Sequence, residues 1–178
     1  MTRNICCVLV VILAVVILSM GGCGGGSKEP GRYYADELDF SIKFPEGWEI
    51  QVENYGYTVS AYSPLDSDDD MLYETISVSV ENLMVSVDLD EYFDAVNRTS
   101  QSQLAYFELE SAETVTIGDI RAKRAVFSYV NQGETVRSVG YCIVKGRRAY
   151  LITCISDDYS YDNYAQEFAS AAESFRAM

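Results

Sequence analysis

The chain has 178 residues, a net charge of −14 and no histidine. That length is one ordinary domain, large enough to bury roughly 68–70% of its unfolded surface without metal or disulfide staples. The acidity disfavours nucleic acid and anionic bilayers as partners, and the missing histidine removes Ser-His-Asp and Cys-His catalysis, imidazole bases and histidine-bearing zinc sites. At the N-terminus, Met1-Thr2-Arg3-Asn4 precedes an uninterrupted apolar run over residues 5–18. As a helix that run covers roughly 21 Å, short of the ~30 Å hydrocarbon core, so it makes a poor permanent span. Arg3, the apolar run and Gly21-Gly22 have the layout of a secretory signal over residues 1–22.

Cys23 follows the two glycines, and here the leader resembles a bacterial lipoprotein signal, in which a small residue precedes a cysteine that is diacylated before cleavage. The resemblance implies export and attachment to the outer side of the cell membrane through lipid on Cys23. Two acyl chains hold where one is marginal, and an acidic domain gains nothing from anionic headgroups, so the lipid supplies the anchoring. Residues 24–31 are glycine-rich with no apolar group to bury. Residues 23–32 therefore read as the acylated cysteine and a tether of roughly 15 Å average reach. No Gly-Lys-Ser/Thr closes the glycine run, which excludes a phosphate-binding loop.

The domain is expected over residues 33–178. Short strands are expected at 39–44, 49–53 and 57–63, separated by Pro45-Glu46-Gly47 and Asn54-Tyr55-Gly56. After an acidic loop, residues 73–81 alternate with Ile76, Val78 and Val80 on one face. Leu89, Phe93, Val96, Ser100, Leu104 and Phe107 then recur at helical spacing and predict a helix over 88–107. Asp88 is its N-cap, Glu91 holds the capping-box position, and Val87 with Tyr92 forms a hydrophobic staple. A short strand at 113–117 turns at Gly118-Asp119 into a meander of strands 120–130, 135–144 and 149–156, with turns at Asn131-Gln132-Gly133 and Lys145-Gly146. These strands carry apolar groups on both faces and need cover on both. A second amphipathic helix over 160–176 presents Tyr161, Tyr164, Phe168, Ala171, Ala172 and Phe175. The predicted class is α+β, an antiparallel sheet of about six or seven strands with a helix on each side.

Only Cys142 and Cys154 remain once the leader is lost and Cys23 is acylated. A two-residue Gly146-Arg147 loop sets Cys142 opposite Leu151 and turns Cys154 to the other face. A one-residue slip restores the face but leaves about 13 Å between them, beyond the ~7 Å Cα separation a disulfide allows. Both read as buried free thiols.

The run Phe40-Ser41-Ile42-Lys43-Phe44-Pro45-Glu46-Gly47-Trp48, Ser63-Pro64 before a variable loop, and residues 78–83 leading into Leu89-Asp90-Glu91-Tyr92 resemble the PsbP-like family. Gly118 and Ala122, Gly146 and Tyr150, and the closing Tyr164, Phe168 and Ser174-Phe175 extend the resemblance over residues 33–176. It implies an αβα sandwich and a non-catalytic, partner-binding role. It carries over no catalytic residue and implies no cofactor. Trp48, after its Pro-x-Gly turn, reads as cover for a sheet edge.

Two charge clusters are candidate sites. Asp66, Asp68 and Asp70 have calcium-loop spacing, but Met71 and Ser77 stand where an EF-hand needs glycine and glutamate, so no metal site is assigned. Arg121, Lys123, Arg124, Arg137, Lys145, Arg147 and Arg148 are opposed within their span only by Glu134. On so acidic a chain such a basic patch can steer a protein or an anionic envelope polymer. The expectation is a lipid-anchored binding module rather than an enzyme. A solute- or metal-binding lipoprotein, or a carboxylate-based envelope enzyme, is the alternative.

Overall fold

The computed structural model describes residues 28–52, 58–65 and 73–178. The leader, Cys23, the glycine run, the Asn54-Tyr55-Gly56 turn and Asp66, Asp68, Asp69 and Asp70 lie outside the described residues. In chain order the elements are β1 (Arg32–Ala35), a 3-10 turn (Asp36–Leu38), β2 (Phe40–Lys43), β3 (Glu49–Val52), β4 (Thr58–Tyr62) and β5 (Thr75–Asn82). Then follow α1 (Leu89–Gln103), β6 (Ala105–Ile117), β7 (Ile120–Asn131), β8 (Glu134–Lys145), β9 (Arg148–Asp157), α2 (Tyr161–Glu173) and β10 (Arg176–Ala177).

Two antiparallel meanders join edge to edge into one seven-stranded sheet, in the order β3-β4-β5-β9-β8-β7-β6. Helix α1 links the meanders and covers one face. Leu89 and Tyr92 pack there with Cys142 and Ala149. The other face carries the larger core. Val78, Val139, Ile143, Tyr150 and Ile152 of the sheet meet Phe168, Ala171 and Ala172 of α2 and Phe40, Ile42 and Phe175 beside it. The expected sandwich is the observed one.

Residues 39–44 depart from expectation. They do not extend the main sheet: β2 pairs with β1 and β10 in a separate three-stranded sheet. Strands of four and two residues leave too short a pattern to read, and β10 takes up the end of what reads as the second helix. Phe40 stacks on Phe175 with ring centroids 5.7 Å apart, so the small sheet and the end of α2 close one core. Trp48 packs edge-on against Tyr164 and Phe168 of α2, at 6.0 and 6.5 Å between centroids.

Helix α1 starts as the sequence predicts. The Asp88 carboxylate accepts the Asp90 N–H at 2.8 Å, and Val87 packs against the cluster that buries Tyr92. It ends earlier than predicted. Leu104 is extended, and residues 105–117 form one 13-residue strand instead of a short one at 113–117. The reason is the demand of β7, whose twelve residues need a ladder partner along their whole length. Register shifts between Ala105/Glu108 and Leu109/Ser111, with Tyr106 at φ 55°, let β6 meet that demand. Phe107 then packs beside Phe127 of β7, with ring centroids 5.5 Å apart, as a strand residue and not as a residue of the helix.

Candidate functional site

The two-residue turn between β8 and β9 pairs Lys145 with Arg148, and Gly146 supplies the positive φ of 64°. That register places Cys142 opposite Leu151 and Cys154 opposite Val139. The thiols lie on opposite faces, both buried and free. Burial pushes the Cys142 thiol up to about 12 and raises Cys154 as well, so neither is a thiolate at neutral pH.

The same register separates the seven cations. Arg121 and Lys123 alternate onto the α1 face, where Lys123 pairs with Asp90 of α1 at 2.5 Å. Arg124 and Arg137 lie on the α2 face. Arg124 bonds Glu113 at 3.1 Å, and Arg137 bonds Glu110 at 2.8 Å while its guanidinium stands 4.7 Å over the Tyr161 ring. Carboxylates of β6 thus meet both arginines.

Lys145, Arg147 and Arg148 gather at the β8–β9 turn. The Lys145 ammonium donates to the Ala177 carbonyl at 2.8 Å. Arg148 donates to the Asp39 carboxylate at 2.6 Å and to the Asn82 side-chain oxygen at 3.2 Å, which ties the small sheet to the main one. Arg147 is exposed and makes no ion pair among the described residues. Its carbonyl accepts the Leu83 N–H at 2.8 Å, which brings the next two residues to the same end. Those two are Met84, 91% exposed, and Val85, 67% exposed. Met178 lines the groove beside Arg147 and Arg148. Arg121 lies one step along β7 from the register Ala122–Ile143, at this same end. The turn end therefore joins exposed apolar side chains to a cationic rim.

A second feature lies beneath α1. Only Leu89 and Tyr92, both in its first turn, are buried; the later stripe residues Phe93, Val96 and Ser100 roof a cavity of about 250 Å³ over β6, β7, β8 and β9. The helical stripe that reads as core is only partly core.

The sequence model of the PsbP-like protein family matches residues 24–177. The chain belongs to the PsbP-like family. Three solved structures share the fold of this PsbP-like chain at low identity. Cyanobacterial PsbP (CyanoP) of Synechocystis sp. PCC 6803 is 18% identical over 89% of this chain and 99% of its own, with a TM-score of 0.62. LpqN of Mycobacterium tuberculosis, described as involved in cell envelope biogenesis, is 13% identical over 84% and 86%, with a TM-score of 0.63. The Saccharomyces cerevisiae Ran-binding protein Mog1p is 13% identical over 82% and 94%, with a TM-score of 0.58. No protein of curated function matches the chain. Among the described residues no helix is long and apolar enough to cross a membrane.

Proposed function

We propose that this chain is an exported, non-catalytic PsbP-like binding module, held to the outer side of the cell membrane by lipid on Cys23, whose β8–β9 end docks an acidic protein. The observation that carries the docking role is the joining of exposed Met84 and Val85 to Lys145, Arg147 and Arg148 on a chain of net charge −14. Methionine adapts its shape to a partner, and a cationic rim on an acidic body orients an acidic one. Arg121, Lys123, Arg124 and Arg137 contribute to the long-range field, although the last three are already paired with carboxylates. The fold of a Ran-binding protein and of a protein of cell envelope biogenesis supports partner binding and an envelope setting.

Two measurements test the two halves. A fatty-acid probe should label the wild-type chain and fail to label Cys23→Ala; label that persists in the variant contradicts the anchor. Capture of the partner should weaken at least tenfold in Arg147→Glu and weaken with added salt, since rim charges act through screened fields. Capture that ignores both, or capture of an envelope polymer in place of a protein, contradicts the docking reading.

A further inference from the structure

The cavity beneath α1 has a cause in the sequence. Ala125 of β7, Gly140 of β8 and Thr153 of β9 are cross-strand neighbours and form one row of the sheet face that α1 covers. These are among the smallest side chains available, so the floor is low at the point where the helix passes over. Phe107, Leu109, Phe127 and Leu151 stand around it as walls. A Cβ added at Gly140 would lie 3.4 Å from the Phe127 ring, an ordinary contact, so the glycine is not forced by crowding. No positive φ requires it either. What Gly140 does is leave room.

The lining is apolar and aromatic, with the polar groups Asn97, Ser100, Tyr129 and Thr153 and the Cys142 thiol. Among the described residues no charged side chain lines it. Apolar cavities of ~150 Å³ stay dry and take up benzene. One of about 250 Å³ has space for more.

We propose that this cavity is a binding site for a small uncharged hydrocarbon ligand of on the order of ten heavy atoms, a hydrocarbon body with one neutral polar end. The absence of a cation or carboxylate in the lining sets the charge of the ligand, because an ion desolvated there would have no partner. The site is separate from the turn end, so its failure leaves the docking reading standing.

The test uses the full-length chain carrying Cys23→Ser, which keeps acyl chains out of the assay, with 1-nonanol as probe and nonanoate as its charged counterpart. Calorimetry should show saturable one-to-one binding of nonanol and at least tenfold weaker binding of nonanoate. Ala125→Leu and Gly140→Val, which fill the floor, should each weaken nonanol at least tenfold while thermal unfolding stays cooperative. Nuclear magnetic resonance on the unfilled protein locates the site independently of either variant. Nonanol should shift Phe127, Tyr129 and Thr153 and leave exposed Ile50 and Val52 unmoved. No saturable binding of nonanol, equal binding of nonanoate, undiminished binding by folded filled variants, or shifts centred on Ile50 and Val52 would each overturn the proposal.

Discussion

Glu29 stands where the chain enters the fold, with Arg32 at 3.0 Å, Arg176 at 3.3 Å and the Lys43 ammonium beside it. Hydrogen bonds from Lys43 first and Arg32 second hold its carboxyl at about 2, below its ordinary 4.5. A depressed carboxylate stabilises the folded state above its unfolded value, and that contribution is lost as pH falls through the folded one. Glu29→Gln should therefore flatten the loss of stability between pH 4.5 and 2, most clearly at low salt because the group is exposed. Acid unfolding curves followed by circular dichroism check this; superimposable curves contradict it. Glu74 is the contrasting case, 1% exposed and answered by hydroxyls. The Ser63 hydroxyl donates to it at 2.7 Å and accepts its N–H at 2.9 Å, and Ser156 stands 3.4 Å from the second oxygen. Ser63→Ala strips two buried groups of a partner and should cost about 2–3 kcal/mol in urea unfolding. A loss below about 0.5 kcal/mol would mean the carboxyl finds other partners.

At the scale of elements, turns carry more information than strands. Gly146 fixed a two-residue loop, and from that loop alone the opposite faces of Cys142 and Cys154 were legible, because one register step reverses every side chain. The Asp88 cap and the Val87 staple were legible for the same reason, since they are local. The far end of α1 was not. Leu104 and Phe107 satisfy the helical spacing and also suit a strand, and the decision rests with the far end of β7, whose Val130 meets Ala105 only once the hairpin has closed. The hairpin between β7 and β8 offers a test at this scale. Gln132 has φ 53° and Gly133 φ 95°, the pairing that two-residue hairpins fill with Asn-Gly. Gln132→Asn should raise stability by roughly 0.5 kcal/mol, as asparagine tolerates the left-handed region better. A lower melting temperature would count against that turn geometry.

For the whole molecule, the seven cations show what a linear reading loses. Clustered along residues 121–148, they alternate between faces because strand side chains do, and β6 and α1 bring Glu113, Glu110 and Asp90 to three of them. At the turn end Arg148 is likewise paired, with Asp39, whereas Arg147 sits at the tip and not in the ladder and makes no ion pair among the described residues. The cavity was hidden for a related reason: Ala125, Gly140 and Thr153 are unremarkable singly and form a floor only when three strands are in register. The docking proposed for this PsbP-like chain at the turn end is open to a direct measurement. A photo-cross-linking residue placed at Val85, against one placed at the still more exposed Tyr106 near the β7–β8 turn, tests it in intact cells. One acidic protein should cross-link from position 85 and little from position 106, and the adduct should be lost when Arg147→Glu is added. Adducts of equal yield from both positions, or an adduct from position 85 that survives Arg147→Glu, would contradict it.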